Sequence, residues 1–242
     1  SKTWYTTLGG SEPAPHEHTW GVWEIVEAAT CFHDGLEARS CTGCDAVESR
    51  VIPANSDNCP SKAFTDRPDR GWYHESVDYV LEAGLMNGMG KGKFEPDTTL
   101  NRAMVATVLY RLSGDKVSAT NAFPDVPANE WYGEAVAWAQ QKGIVTGFED
   151  GTFRPFATIT REEAAAMLNR LYQILGGTQT AESRERYADD AQFGAWSRDS
   201  IYAMREIGIM KGEENNAFHP AGGYTGEQAL VTMERLYNKL HQ

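Results

Sequence analysis

The sequence predicts a mainly α protein: three helix–loop–helix repeats packed on one another, preceded by a small β-rich segment stapled through its cysteines. Two observations carry this. One ladder of residues occurs three times along about the last three-quarters of the 242 residues, and all four cysteines lie before it begins. Trp72, Trp131 and Trp196 each stand sixteen residues before a glycine, at Gly88, Gly147 and Gly212. Six residues on comes Phe94, Phe153 or Phe218, and two further Pro96, Pro155 or Pro220. Six beyond each proline stand Arg102, Arg161 and Gly226, and nine past those Arg111, Arg170 and Arg235. The period is 59 and then 65 residues, and spacings kept through three copies mark a repeated supersecondary unit.

Each repeat divides into the same elements. Ala135, Val136, Trp138 and Ala139 form an apolar stripe at helical spacing, closed by Gly143 where a C-terminal cap belongs. Val77, Val80 and Leu81 before Gly84, and Ile201, Met204 and Ile207 before Gly208, repeat the pattern. A turn-prone loop follows, clearest from Gly147 to Pro155, where Asp150-Gly151 reads as a tight turn. Second helices are expected over Thr160–Leu175, Asn101–Leu112 and Thr225–Leu240. Thr160 and Glu163 spell a capping box, Thr225 and Gln228 its glutamine variant, and Asn101 a cap without the return partner. One such hairpin cannot bury its apolar face alone, so the three are expected to share a core. The predicted division is residues 1–62 for the N-terminal segment, then repeats at 63–120, 121–178 and 185–242.

These residues resemble the S-layer homology module. Copy two carries Phe123-Pro-Asp125, Trp131, Gly147 to Pro155 and Ile159-Thr-Arg-Glu-Glu163. Copy one keeps Phe64-Thr-Asp66, Trp72, Gly88, Phe94, Pro96 and Asn101-Arg102. Copy three, the most divergent, has Tyr187-Ala-Asp189, Trp196, Gly212, Phe218 and Thr225-Gly-Glu-Gln228. The resemblance implies a pseudo-threefold helical bundle whose inter-repeat grooves bind the secondary cell-wall polysaccharide linked to peptidoglycan, often through a pyruvylated sugar. It implies a non-catalytic anchor at the cell surface, with Arg102, Arg161, Gly88, Gly147, Trp72 and Trp131 as ligand-binding residues. A protein–protein assembly module, or the anchor of a larger glycan-processing enzyme, is the alternative.

The arginines carry a physical argument of their own. A cation in the first helical turn opposes the macrodipole, so Arg102 and Arg161 are not explained by helix initiation. Beside helix N–H donors they are expected to form an anion site, and replacing either by Ala to cost binding with little change in stability. The bland alternative is a bridge to an acid of the neighbouring repeat, Asp66 or Asp125. The tryptophans read as packing unless an exposed indole edge offers a sugar platform. Arg111, Arg170 and Arg235 suit a helix C-terminus.

Composition excludes some classes. With 22 basic and 34 acidic residues the chain lacks the basic face that nucleic acid requires. No apolar run approaches a membrane span, so no membrane insertion is expected. No nucleophile–base pattern or phosphate loop is present, so no enzyme is predicted and the repeats need no cofactor. Ser1 reads as a processing boundary of a longer surface protein, with export implied by the family resemblance.

The cysteines stand at 31, 41, 44 and 59. Alternating stretches around His18–Val26, Gly35–Cys44 and Val51–Pro53 read as short strands. This segment resembles a small module of clostridial surface proteins with His-Thr-Trp, Ala-Thr-Cys and Cys-x-x-Cys elements. That resemblance implies a structural zinc held by Cys31, Cys41, Cys44 and His18, with His16 and Cys59 as rivals to the histidine. Disulfides are the equal alternative, Cys31 pairing with Cys41 or Cys44 and Cys59 with the remaining thiol.

Overall fold

The computed structural model describes residues 17–31, 33–66, 73–116, 120, 123–178 and 185–240. The chain forms two compact units, Ser1–Glu75 and Ser76–Gln242. Their division falls inside the first helix.

The N-terminal unit is an antiparallel sheet in the order β1 (Glu24–Glu27), β2 (Gly35–Ser40), β3 (Val47–Ile52). Strand β3 begins ahead of the expected Val51. The register sets Glu37 opposite Arg50 and Arg39 opposite Glu48, and both pairs close as cross-strand ion pairs. The guanidiniums lie over aromatic rings, Arg39 on Trp20 and Trp23 and Arg50 on Trp23 at 4.2 Å. Val22, Ile25, Val26 and Val51 stay exposed, so charge pairing and ring stacking rather than an aliphatic core hold this sheet.

The second unit holds two helices per repeat: α1 (His74–Glu82) and α2 (Arg102–Ser113), α3 (Gly133–Gln141) and α4 (Arg161–Ile174), and α5 (Arg198–Glu206) and α6 (Gly226–Leu240). Helix α1 begins two residues inside the first unit. Gly84, Gly143 and Gly208 all take positive φ where the first helix of each repeat ends, the conformation its lack of Cβ permits. Helix α2 packs on α3 and α4, and α4 on α5. Phe94, Phe153 and Phe218 are buried, as are Leu109, Leu168 and Leu236. The residues just ahead of the second helices form a closed ring. Leu100 N–H donates to Tyr224 O at 2.9 Å, Tyr224 N–H to Ile159 O at 3.0 Å, and Ile159 N–H to Leu100 O at 3.1 Å.

Asn101 and Thr160 cap their helices as expected, and Glu163 returns to the Thr160 N–H at 3.0 Å to complete the box. The glutamine variant does not close. Thr225 Oγ1 accepts from Gln228 N–H, but the Gln228 amide group donates to Glu213 and its Oε1 finds no partner among the described residues. Glu213 draws that side chain away from the helix start.

Candidate functional site

In copies two and three the loop that precedes the second helix is clamped by the acid of the Phe-x-Asp or Tyr-x-Asp motif. Asp125 accepts from the Phe153 and Arg154 N–H groups at 2.9 and 2.7 Å, and Asp189 from those of Phe218 and His219 at 2.9 and 2.7 Å. Arg154 and His219 thereby sit at φ 58° and 57°, directly ahead of Pro155 and Pro220. Left-handed backbone is unfavourable for a residue with a side chain, and the carboxylate clamp offsets that cost. Asp125 is thus committed to the loop backbone and forms no ion pair with Arg102 among the described residues.

The clamped loops aim carbonyls at the helix of the preceding repeat. Arg102 and Ala103 N–H donate to Ala157 O and Pro155 O; Arg161 and Glu162 N–H donate to Gly222 O and Pro220 O. Gly226 and Glu227 N–H close the circuit on Thr98 O and Pro96 O. The helix N–H donors expected to serve an anion are therefore occupied by protein.

The same carbonyls explain the two arginines. Arg102, 7% exposed, donates from Nε to Phe153 O at 2.9 Å and from Nη1 to Glu163 at 2.7 Å. Arg161, 5% exposed, donates from Nε to Phe218 O at 2.8 Å and from Nη2 to Lys211 O at 3.2 Å, with Glu213 at 3.7 Å. Each guanidinium also covers the phenylalanine ring it bonds behind. Burial lowers both pKa values, opposed by Glu163 for Arg102 and by Glu213 for Arg161. The sequence's bland reading holds in kind, with Glu163 in place of Asp66 or Asp125. These bonds argue against the expectation that alanine would leave stability unchanged, since it would strand buried carbonyls.

Two grooves are built from the repeats. The first, about 330 Å³, is lined by Gly88, Met89, Arg111, Trp131 and Gly226. The second, about 410 Å³, is lined by Arg102, Gly147, Phe148, Glu163, Arg170 and Trp196. Each joins a loop glycine and a second-helix arginine of one repeat to a tryptophan of the next. Trp131 and Trp196 are each 56% exposed, presenting indole surface to solvent rather than packing at a helix start. Gly147 stands at φ 74°, and a Cβ there would lie 2.4 Å from the Phe123 ring.

Of the predicted ligand residues, Gly88 and Trp131 meet in the first groove and Gly147 and Arg102 in the second. Arg161 lines neither, and Trp72 lies outside the described residues. Sequence reasoning missed Trp196, Arg111 and Arg170 as groove residues. Arg111 Nη1 donates to Leu85 O at 3.1 Å and Arg170 Nη1 to Ile144 O at 2.8 Å, and neither forms an ion pair among the described residues. They reach back to the loop after the first helix rather than capping their own. The fixed spacing from Trp to the second arginine was the available signal. Gly226, which breaks the arginine pattern, abuts the next loop: a Cβ there would stand 2.4 Å from Pro96 O.

The cysteines separate into two groups. Cys41, Cys44 and His18 offer ligand atoms within 4.8 Å of one another, with Cys44 Sγ 3.4 Å from His18 Nδ1. Cys31, expected among them, lies instead with Cys59 and His74. Cysteine spacing could not show this, because His74 stands 15 residues beyond Cys59, at the start of a helix, and belongs to none of the recurring motifs. No cysteine is in a disulfide, and His16 lies outside the described residues.

Clamped loops, a ring of backbone bonds and exposed tryptophans beside arginines define a tandem-repeat helical module. A family model described as S-layer homology domain matches residues 63–104, 122–165 and 186–230, more than half of the chain. The chain belongs to that family. It is 32% identical over 183 residues to an amylopullulanase of Thermoanaerobacterium thermosulfurigenes, covering 74% of this chain and 10% of that protein. It is 36% identical over 173 residues to an S-layer protein of Bacillus thuringiensis subsp. finitimus, covering 69% of this chain and 20% of that protein. To a cellulosome-anchoring protein of Acetivibrio thermocellus it is 34% identical over 116 residues, 46% of this chain and 26% of the relative. The chain thus spans only a small part of each relative's length. Family membership and S-layer relatives place it at the cell surface. Among the described residues no helix is long and apolar enough to cross a membrane.

Proposed function

We propose that the three repeats form a pseudo-threefold bundle that anchors a surface protein non-covalently to the cell wall, binding secondary cell-wall polymer, in pyruvylated form, in the inter-repeat grooves. The observation that carries this reading is the recurrence of one groove: an exposed tryptophan, a loop glycine and a second-helix arginine, each from the equivalent repeat position. An indole face stacks on a sugar ring, and the volumes of about 330 and 410 Å³ lie in the range that encloses a small ligand. The ring of bonds through Leu100, Ile159 and Tyr224 supports the pseudo-threefold arrangement. In the second groove, Arg170 and the Nη2 of Arg102, which has no partner among the described residues, would pair with the ketal carboxylate, while Gly147 lets the sugar approach the backbone. Arg161 holds the position of Arg102 in copy two without lining either groove, and Trp72 the position of Trp131 in copy one. The chain itself is read as non-catalytic. Similarity to an amylopullulanase favours, as a second reading, that the parent protein is a glycan-processing enzyme of which this is the anchor.

Calorimetric titration with purified wall polymer, before and after removal of its pyruvyl groups, tests the proposal. A charge-assisted pair in a partly desolvated groove contributes about 1.5–3 kcal/mol, so depyruvylation should weaken binding about ten- to a hundred-fold. Trp196→Ala and Arg170→Ala should do likewise with the helical signal intact. Binding indifferent to both variants would assign the grooves to protein–protein contact instead.

The residues His18, Cys41 and Cys44 fit a structural zinc by donor type and spacing, and we propose them as one such site. A bound ion would cross-link the start of the sheet to the β2–β3 turn.

A further inference from the structure

The N-terminal unit has an interior no motif announced. Its buried described residues are Gly35, Cys41, Cys59, Ser61 and His74, while its valines and Ile25 face solvent. A unit this small, with thiol, imidazole and hydroxyl groups inside in place of aliphatic ones, gains little from apolar burial. Something else must close it.

We propose that Cys31, Cys59 and His74 form a second zinc site, separate from that of His18, Cys41 and Cys44. Local structure positions all three. Cys31 follows Thr30, whose turn is pinned by Thr30 N–H to His33 O at 2.9 Å and by Asn55 N–H to Thr30 O at 3.2 Å. Cys59 sits between two short 3-10 turns, Ser56–Asn58 and Pro60–Ala63, and is 5% exposed. His74 opens α1 and is 1% exposed. Cys59 Sγ lies 3.2 Å from His74 Nε2, and the three ligand atoms lie within 4.8 Å of one another. A tetrahedral zinc with bonds of about 2.3 Å to sulfur and about 2.0 Å to nitrogen separates its ligands by about 3.5–3.8 Å, so small side-chain adjustments suffice. Two thiols and an imidazole are borderline-soft donors, which suit zinc over the oxygen-seeking calcium or magnesium. On binding, each thiol releases its proton to solvent and binds as thiolate; nothing is oxidised. Ser61 Oγ, 3.1 Å from Cys59 Sγ, is placed to hydrogen-bond that thiolate from outside the ligand shell.

The test uses the whole chain, purified under reducing conditions, stripped of metal and titrated with cobalt(II) while thiolate-to-metal absorbance is followed. Saturation at about two equivalents is expected, as is about two equivalents of zinc by elemental analysis of the unstripped protein. Cys59→Ser with His74→Ala should retain about one equivalent, as should Cys44→Ser alone. Saturation of the parent chain at about one equivalent overturns the second site without any reliance on variant folding. So does a Cys59→Ser, His74→Ala chain that still binds two, or an unstripped parent without metal whose Cys31 and Cys59 are joined as a disulfide. Each result leaves the wall-polymer titration unaffected, so the two proposals fail independently.

Discussion

At the scale of single residues, Arg161 shows where sequence reasoning reached its limit. A cation at a helix start signalled that something must offset the macrodipole, and that much was legible. What offsets it is Phe218 O, in the loop that Asp189 clamps, and Lys211 O, carbonyls fifty or more positions away. No local pattern distinguishes such carbonyls from a ligand's oxygens, so the sequence alone does not separate an anion site from a guanidinium held by the protein. Arg161→Ala would strand both acceptors and uncover the Phe218 ring. A loss of about 2–4 kcal/mol is expected, read as a lower urea midpoint at unchanged slope. A melting curve superimposable on the parent's would instead return Arg161 to the role of a ligand residue.

At the scale of elements, the helices were the most legible part, because apolar period, terminal glycine and cap residue all agree within each repeat. The second helices begin one residue after Asn101, Thr160 and Thr225, as their capping chemistry dictates. The sheet was less legible. β3 starts at Val47, and its register rests on Glu–Arg pairs rather than on alternating apolar residues. The cysteine groups were the least legible, since His74 joins one of them from the first turn of a helix. Cap quality gives an internal comparison. Thr160 both accepts from Glu163 and has its own N–H satisfied in return, whereas Thr225 makes one long bond of 3.4 Å and Gln228 turns to Glu213. Thr160→Ala should therefore cost about 1–2 kcal/mol and Thr225→Ala about half as much or less. Equal losses in chemical denaturation would show that Gln228 does return to the helix start in solution.

At the scale of the whole repeat unit, closure of the third repeat on the first is a contact sensitive to pH. Glu227 N–H bonds to Pro96 O, which brings the Glu227 carboxyl against that of Asp97. Sharing a hydrogen bond with Asp97, together with partial burial, pushes the Glu227 pKa up to about 7 from its ordinary 4.5. Two carboxylates this close cannot both ionise without repulsion, so the folded chain keeps a proton that the unfolded chain has released. Below pH 4.5 both states hold the proton, and the favourable shared bond is fully present. As pH rises through about 7 the folded state loses it as well, and across that window stability falls because the native state binds more protons than the unfolded one. Other carboxylates, such as Asp115 beside Trp138 and Lys142, are lowered and act in the opposite direction, but their contribution is complete at lower pH. Glu227→Gln keeps a hydrogen-bond donor toward Asp97 and removes the titration. Urea midpoints of parent and variant, measured at about pH 5 and about pH 7.5, should differ little at the lower pH and favour the variant at the higher. A variant whose midpoint falls with pH as steeply as the parent's would show that the Asp97–Glu227 contact does not control closure between the last repeat and the first.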